Sequence, residues 1–306
     1  MNRVIYRTIT IVRSINDMRA INKKINNTNN NTTIGFIPTM GALHNGHITL
    51  MKRARKENDI IISSIFINPT QFSAGEDLDK YPRTLDNDIN MLKDANVDYV
   101  FIPNTNDIYN NNILCHIEPS RFSNILEGKA RPEFFRGVAT IVCKLFNIVQ
   151  PTIAYFGQKD ISQCILVKSL VLDLNMPVQI QVCETVREND GLAMSSRNTY
   201  LTTNERPYAN ILYKALNIGK DMFDSNDVNK IISSKDIIKV IEEKLKSEPL
   251  VSNIEYISIA SHIDMTELSN VSLSKGAVIS SAIRLGSVRL IDNLLIGIAN
   301  DDIYKL

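Results

Sequence analysis

Two histidines, His44 and His47, lie three residues apart in the segment 34–54, which reads IGFIPTMGALHNGHITLMKRA. Residues at i and i+3 share one face of a helix, so both imidazoles could donate hydrogen bonds to the same group. Apolar residues recur at helical spacing from Asn45 onward, which predicts that the histidines lie at a helix N-terminus. Free backbone N–H groups and the helix dipole at such a terminus favour an anion, and a phosphate is the natural candidate.

A short apolar strand is predicted before this helix, over residues 34–37, because a buried parallel strand typically reads as an apolar run. Pro38 has no N–H to donate and is predicted to end the strand. Gly41 and Gly46 then allow the close backbone approach that a loop folded around phosphate needs. The segment is therefore predicted to be a strand, a nucleotide-phosphate loop and a helix.

Polar groups follow two further predicted strands. Asn68 and Gln71 carry amides that can donate and accept hydrogen bonds, which suits a small ligand with hydroxyl and carboxylate groups. Lys159 could neutralise phosphate charge that builds at a transition state, and Asp160 could orient a ribose, a metal-bound water or the lysine itself. Gln163 lies one helical turn further on. Taken alone, the Asn68–Gln71 segment is equally well explained as a common turn, and the Lys159–Asp160 segment as a capped surface helix with an ion pair.

A fourth polar segment, residues 187–198 (RENDGLAMSSRN), lies at a predicted domain junction. Its small hydroxyl groups beside guanidinium groups could wrap a triphosphate, and a hinge position would let it close after nucleotide binding. The alternative is an ordinary interdomain linker. Linkers rarely concentrate arginine and serine next to apolar residues such as Leu192 and Met194, so the binding interpretation is favoured.

Strands alternate with helices for about 180 residues, which predicts an α/β fold: a Rossmann-like open parallel sheet with helices on both faces. A first strand is predicted near the N-terminus, and Ser14 is predicted to begin a helix as part of a capping box. Beyond residue 184 the pattern predicts a smaller C-terminal α+β domain. Further strands are predicted at 60–67, 97–103, 152–156, 178–182, 254–259, 277–285 and 287–291, helices at 138–149, 161–172, 204–221 and 234–246, and polar loops at 26–31 and 221–229.

Composition narrows the functional classes. The chain has 306 residues with 34 basic and 33 acidic side chains, a net charge of +1, which provides no field to hold nucleic acid or an anionic membrane. The four cysteines are scattered without metal-ligand spacing, as in a reduced cytoplasmic protein. No apolar run approaches the roughly 20 residues that span a bilayer.

Seven segments, in chain order over almost the whole length, resemble the pantothenate synthetase family, the pantoate–β-alanine ligases. They read PTMGALHNGH, FINPTQF, YPRT, RPEFFRGV, KLFNIVQPTIAYFGQKD, RENDGLAMSSRNTYL and VRLIDN. The H-x-G-H pattern alone marks a whole nucleotidyl-transferring superfamily, whereas seven ordered segments are specific. The resemblance implies two steps with ATP and Mg²⁺: pantoate and ATP give pantoyl adenylate and pyrophosphate, and β-alanine then displaces AMP to give pantothenate. It also implies a homodimer.

The resemblance also implies residue roles. Residues 1–184 would bind ATP and pantoate, and residues 185–306 would form a lid domain. His47, His44 and Lys159 would be catalytic, Gln71, Gln163 and Asn68 would bind substrate, and Asp88 would be a metal ligand. The implied ATP-binding residues are Thr39, Met40, Gly41, Ala42, Leu43, His44, Asn45, Gly46, His47, Gly157, Gln158, Lys159, Asp160, Val186, Met194, Ser195, Ser196 and Arg197.

The chain departs from the family pattern at two places. Phe134 stands where the family commonly has histidine, and the acidic pair after YPRT reads Asp86-Asn87-Asp88, which leaves the metal ligands open. Two alternatives also stay open: a nucleotidyltransferase that stops after transferring a nucleotide, and a nucleotide-binding regulatory module without turnover. An aminoacyl-tRNA synthetase is disfavoured by the near-neutral charge and by the lack of an anticodon-binding domain.

Overall fold

The structure is a computed structural model that describes residues 8–28, 31–73, 75–110, 113–225, 231–272 and 276–297. The chain divides into two compact units. Unit 1 contains residues 1–119, 133–157 and 170–183, and unit 2 contains residues 120–132, 158–169 and 184–306. Two internal segments, 120–132 and 158–169, thus belong to unit 2 although they precede the predicted domain boundary. No helix in the described ranges is long and apolar enough to cross a membrane.

Unit 1 is built on a parallel sheet whose described strands follow the order β1-β4-β3-β2-β5-β6. Its helices connect these strands, so the predicted α/β fold is confirmed. The strands are β1 (Thr10–Val12), β2 (Ile34–Thr39), β3 (Ile60–Ile65), β4 (Tyr99–Phe101), β5 (Ile153–Gly157) and β6 (Gln179–Cys183). The helices are α1 (Ile15–Thr28), α2 (Asn45–Glu57), α3 (Leu85–Asp94), α4 (Thr105–Ile108) and, later in the chain, α6 (Phe134–Val149).

The strand order places a topological switch point between β2 and β5. From β2 the chain continues to β3 and β4 on one side, and it later returns to β5 and β6 on the other side. Ligands of open parallel sheets bind beyond the carboxyl ends of the strands at such a point. The predicted phosphate loop follows β2 and Gly157 ends β5, so both lie at this position in the sheet.

Unit 2 contains an antiparallel sheet of order β11-β10-β8 with a separate β7-β9 pair. The elements are α5 (Leu126–Ala130), α8 (Ile211–Asp224), β7 (Ile232–Ser233), α9 (Ser234–Lys246), β8 (Val251–Ala260), β9 (Asn270–Val271), β10 (Ala277–Leu285) and β11 (Val288–Ile296). Apolar side chains of α8, α9 and the sheet form one buried cluster. The smaller α+β region predicted beyond residue 184 is therefore confirmed. Helix α7 (Ile161–Asp173), which lies between β5 and β6 in the chain, begins in unit 2 and ends in unit 1.

Several predicted boundaries were wrong. Strand β2 continues through Pro38, because its neighbour β5 pairs only with Gly35 and Phe36, so no ladder partner on that side requires an N–H from Pro38. Helix α1 extends to Thr28, into the Asn-rich tract, and α6 begins at Phe134 rather than Val138. Helix α8 begins at Ile211 and runs to Asp224, into the predicted polar loop. The other parts of these predictions, at residues 1–7, 29–30 and 226–229, lie outside the described residues.

Ser14 caps the start of α1, since the backbone N–H of Asp17 donates to Ser14 Oγ (3.0 Å) and Ser14 Oγ donates to Asp17 Oδ2 (2.7 Å). The far end of α2 is attached to β5 by a buried tyrosine. Tyr155 Oη donates to Glu57 Oε2 (2.8 Å) and accepts from Asn58 Nδ2 (2.6 Å). Helix α2, which begins at the two histidines, is therefore held at its C-terminal end against β5.

Candidate active site

The loop between β2 and α2 brings His44 and His47 together as predicted, with ring centroids 4.1 Å apart. His44 is the N-cap of α2: its Nδ1 accepts from the N–H of Gly46 (3.2 Å), and His47 Nδ1 accepts from the N–H of His44 (3.3 Å). Because each Nδ1 acts as an acceptor, the proton of each neutral ring lies on Nε2. The remaining side-chain donor of each imidazole is therefore its Nε2–H group.

The backbone N–H groups of the loop are used differently from the prediction. Those of Ala42 and Leu43 donate to Asp88 Oδ2 (3.0 Å) and Oδ1 (2.9 Å), and that of Gly41 donates to Thr39 Oγ1 (3.2 Å). The N–H groups of His44 and Gly46 donate to the two imidazoles, so five N–H groups of the loop are engaged within the protein, and phosphate binding by the loop stays a prediction. The chain satisfies these donors internally because a buried N–H without a partner is costly.

Asp88 is the anchor of this loop. Its side chain is only 1% exposed, and its carboxylate accepts the two loop N–H groups and the Thr84 hydroxyl (3.0 Å). The loop needs such an anchor because Gly41 and Ala42 both adopt positive φ (80° and 49°), a conformation that costs a non-glycine residue about 1 kcal/mol or more. With its oxygens committed to these three donors, the Asp88 carboxylate gives no support to the prediction that it is a metal ligand.

Gln71 and Asn68 belong to the segment after β3, where a hydrogen bond joins their side-chain amides. Asn68 is 1% exposed, and its Nδ2 donates to Gln71 Oε1 (2.9 Å) and to the carbonyl of Gly137 (3.2 Å). Its Oδ1 accepts from Tyr109 Oη (2.8 Å) and Thr70 Oγ1 (3.0 Å). The Asn68 amide is thus engaged on both sides by protein groups, and by holding Gln71 Oε1 it sets the direction in which the Gln71 Nε2 presents its donors.

Tyr109 was missed by the sequence interpretation, because nothing in its local sequence distinguishes it. Burial raises the pKa of the Tyr109 phenol, against the opposing effect of its hydrogen bonds with Thr70 and Asn68, so the hydroxyl stays protonated and keeps its donor role at neutral pH. A hydrogen-bonded chain therefore runs from Tyr109 through Asn68 to Gln71, all within unit 1.

Unit 2 carries the remaining predicted residues. Gln158, Lys159 and Asp160 form a short helical turn directly after β5, and Gln163 lies half-buried in the first turn of α7. Lys159 Nζ lies 3.6 Å from Asp160 Oδ2, which is the ion pair expected from the alternative interpretation of this segment as a capped surface helix. A Cβ added at Gly157, just before this turn, would meet nothing within 4 Å, so there is open space beside that backbone.

The segment after Glu184 forms a small hairpin. Arg187 pairs with Ala193, and the N–H of Met194 donates to the carbonyl of Val186 (3.0 Å), which brings two of the predicted ATP-binding residues side by side. Gly191 turns the hairpin at φ 95°. Ser195 then caps a short turn that contains Ser196 and Arg197, its Oγ accepting from the Arg197 N–H (3.3 Å).

Two residues of β11 in the VRLIDN segment contact the two parts of unit 2 just described: Asp292 contacts the hairpin, and Asn293 contacts the turn after β5. Asp292 forms a bidentate ion pair with Arg187 (2.6 and 2.9 Å), whose guanidinium lies 3.9 Å from the centroid of the Tyr213 ring. Burial raises the pKa of the Asp292 carboxyl, and the Arg187 hydrogen bonds and the charges of Arg187 and Lys159 oppose that rise. Asn293 contacts the Gln158-Lys159 turn. Two adjacent polar residues inside an apolar strand were the signal that could have identified this pair.

Phe134, which replaces the expected histidine, is the first residue of α6. It is buried, and its ring centroid lies 5.0 Å from that of Phe135 in an edge-to-face arrangement. The position is thus used for aromatic packing.

Comparison with known proteins agrees with the resemblance. The family model described as pantoate–β-alanine ligase matches residues 10–295. The chain belongs to this family. A pantothenate synthetase of Thermodesulfovibrio yellowstonii is 44% identical over 286 residues, which is 94% of this chain and 99% of that protein, and one of Chloroflexus aggregans is 46% identical over 264 residues, 86% of this chain and 93% of that protein.

Solved structures of the pantoate–β-alanine ligase family share the fold. The enzyme of Thermus thermophilus superimposes with a TM-score of 0.84 at 37% identity, covering 94% of this chain and 99% of that one. The ligase of Francisella tularensis, solved with a β,γ-ATP compound and β-alanine, gives a TM-score of 0.74 at 38% identity, covering 94% of this chain and 98% of that one.

Proposed function

We propose that this chain is a pantoate–β-alanine ligase that uses ATP to condense pantoate with β-alanine through a pantoyl adenylate. In the first step a pantoate carboxylate oxygen attacks the α-phosphorus, the bond to the bridging oxygen breaks, and pyrophosphate leaves. In the second step the β-alanine amine attacks the acyl carbon and AMP leaves. The observation that carries the proposal is the His44–His47 pair, whose Nδ1 atoms both accept backbone N–H groups.

In this proposal the pair supplies the donors for phosphate. Both ring orientations are held before a ligand arrives, so the Nε2–H groups can stabilise negative charge on the phosphate oxygens as the bridging bond breaks. The protein does little covalent work in such a reaction; alignment of the attacking oxygen with phosphorus and stabilisation of charge carry the rate. His47 is assigned the main donor role and His44 the role of its companion.

The remaining assignments are distributed over both units. In unit 1, residues 39–47 and Gly157 bind ATP, and the Nε2 of Gln71 donates to pantoate, with Asn68 holding the Gln71 amide. In unit 2, Lys159 stabilises developing phosphate charge, Gln163 binds pantoate, and Gln158, Asp160, Val186 and residues 194–197 bind ATP. Their support is the family membership together with the local geometry of each unit.

Magnesium enters this proposal with ATP. The described parts of the chain hold no group of three or more His, Cys, Asp or Glu side chains arranged for a metal ion. Mg²⁺ typically keeps several waters and is bound through substrate phosphates with one or two carboxylates, so a preformed protein site is not required. When bound, the ion would neutralise phosphate charge. Its protein ligand stays a prediction.

The test follows AMP and pyrophosphate release with pantoate, ATP and Mg²⁺, with and without β-alanine. Without β-alanine the ligase releases pyrophosphate only, and with β-alanine it completes the reaction to AMP and pantothenate. If the nucleotide is transferred but β-alanine is not consumed, the nucleotidyltransferase alternative holds. If neither product forms, the ligase proposal is lost.

The histidine role has its own test. We expect His47→Ala to slow pyrophosphate release by roughly 100-fold or more, the scale for losing a preorganised charge-stabilising donor, with a small change in melting temperature. The matched control is His262→Ala, because His262 belongs to unit 2 and is not one of the proposed site residues. Wild-type turnover by His47→Ala would remove His47 from the mechanism.

We also propose a homodimer, and the segment 113–119 supports it. It lies outside helices and strands, with Ile113 46% and Leu114 91% exposed, and Ile117 attached to α6 by its N–H to Thr140 Oγ1 (3.0 Å). Exposed apolar side chains on an extended segment are typical of a surface that pairs with another chain. In sedimentation velocity, Leu114→Lys should shift the dimer toward monomer, whereas Leu174→Lys, also at an exposed leucine, should not. A monomeric wild type, or a Leu114→Lys protein that stays dimeric, contradicts this.

Two further predictions accompany the function. The cytoplasm is the proposed compartment, supported by the four cysteines, which are not in disulfides, since reduced thiols suit a reducing environment. The assignment of residues 185–306 as a lid domain stays a prediction.

A further inference from the structure

Asp292 and Asn293 are buried polar neighbours near the end of β11, at 4% and 1% exposure. A buried amide or carboxylate destabilises a fold unless hydrogen bonds compensate for its lost hydration. Both residues are compensated in this way, and their partners lie in the two segments of unit 2 that carry proposed ATP-binding residues. The pair can therefore position these two segments in addition to filling the interior.

Asn293 holds the turn that carries Lys159. Its Nδ2 donates to the backbone carbonyls of Gln158 (2.9 Å) and Lys159 (3.0 Å), and its Oδ1 accepts from Gln158 Nε2 (3.1 Å). Both amide hydrogens and the amide oxygen are thus used on one turn, which fixes the plane of the amide. In return, two successive peptide groups of the turn are fixed, and these determine the direction in which the Lys159 side chain leaves the backbone.

Asn293 is itself held by its neighbour. Its N–H donates to Asp292 Oδ1 (2.8 Å), the same carboxylate that accepts both hydrogen bonds from Arg187. That carboxylate is therefore oriented by a buried cation. The geometry forms a continuous series from Arg187 through Asp292 and Asn293 to the backbone of Lys159.

We propose that Asn293 is a positioning residue for Lys159 in the adenylation step. In this role Asn293 fixes the backbone from which the Lys159 ammonium reaches the charge that develops on the phosphate. A charged group gains its catalytic effect only when its direction is set before the reaction, and a displacement of about 1 Å can slow a reaction about 100-fold. The inference rests on the role of Lys159 in the proposed function.

The experiment is a double-mutant cycle on pyrophosphate release at turnover with pantoate, β-alanine, ATP and Mg²⁺, using the wild type, Asn293→Ala, Lys159→Ala and the double variant. We expect Asn293→Ala to lower kcat roughly 10- to 100-fold while the KM for ATP changes by less than about twofold, because Lys159 acts on the transition state. In the Lys159→Ala background the same change should lower kcat by less than about threefold, because the positioned group is gone. Asn253→Ala, an exposed asparagine of β8 in the same sheet, is the matched control and should leave kcat and KM unchanged.

Asn293→Ser keeps one hydroxyl donor and should fall between the wild type and Asn293→Ala, and it replaces Asn293→Ala in the cycle if the latter does not fold. Equal effects in both backgrounds, or a raised KM for ATP at unchanged kcat, would overturn the positioning role. If neither variant is folded at the assay temperature, Asn293 is a folding determinant and the proposal is rejected. A wild type that releases no pyrophosphate refutes the proposed function instead, and an unaffected Lys159→Ala refutes the role of the lysine.

Discussion

Replacing Asp88 by asparagine separates a loop anchor from a metal ligand. In the wild type the carboxylate accepts hydrogen bonds from the N–H groups of Ala42 and Leu43 and from the Thr84 hydroxyl, at 2.9 to 3.0 Å. Asparagine keeps one oxygen but presents an NH2 group where the second oxygen was. That group faces a backbone N–H, so two donors oppose each other at a site that is 1% exposed.

The expected loss can be worked from these contacts. A hydrogen bond to a charged acceptor contributes about 1.5 to 3 kcal/mol, and the remaining bonds weaken because the acceptor is now neutral. We therefore expect a loss of about 3 kcal/mol in the free energy of unfolding. At about 2 to 4 °C per kcal/mol for a unit of this size, the melting temperature should fall by about 6 to 12 °C.

Thermal unfolding in EDTA and in excess Mg²⁺ is the assay, followed by pyrophosphate release over a Mg²⁺ titration. An anchor gives the same fall in melting temperature in both buffers and an adenylation rate that Mg²⁺ does not restore, because His44 and His47 have lost their support. Asp86→Asn removes an exposed carboxylate from the same first turn of α3 and is the control. A wild-type melting temperature in EDTA with activity regained at high Mg²⁺ would refute the anchor and favour the metal ligand.

Two further predictions follow from unit 1. Tyr109→Phe removes the hydroxyl that fixes Asn68, and we expect it to raise the KM for pantoate about 3- to 10-fold, a loss of about 1 kcal/mol in the orientation of Gln71, with the KM for ATP unchanged; an unchanged KM for pantoate in steady-state kinetics would contradict the Tyr109–Asn68–Gln71 chain. Gly157→Ala should leave the melting temperature unchanged, because its Cβ meets open space, and should raise the KM for ATP if the nucleotide approaches this backbone. Gly137→Ala should unfold at a much lower temperature, because its Cβ would lie 2.2 Å from the Thr70 carbonyl oxygen. Equal melting temperatures for both glycine variants would refute the packing argument.

Much of the fold was predictable because its signals are local. The alternation of apolar strands and amphipathic helices requires only residues that are close in the chain, and so does the cap that places His44 and His47 at the start of α2. Element ends were less predictable. Strand β2 continues through Pro38 because β5 pairs with it only at Gly35 and Phe36, so Pro38 needs no N–H on that side. The extent of that pairing is set by a strand that is distant in the chain.

The sequence by itself determined which residue types could do chemistry here, since the histidine pair, Gln71, Lys159 and the Ser195–Arg197 segment can be read from local spacing and from the family motifs. Only the tertiary structure decided how these groups are held. Asp88 reaches the loop across 45 and 46 positions and Asn293 reaches the Lys159 turn across 134 and 135. The partner of a buried polar group depends on which donor or acceptor the fold brings within about 3 Å, and local sequence carries no information about that distance.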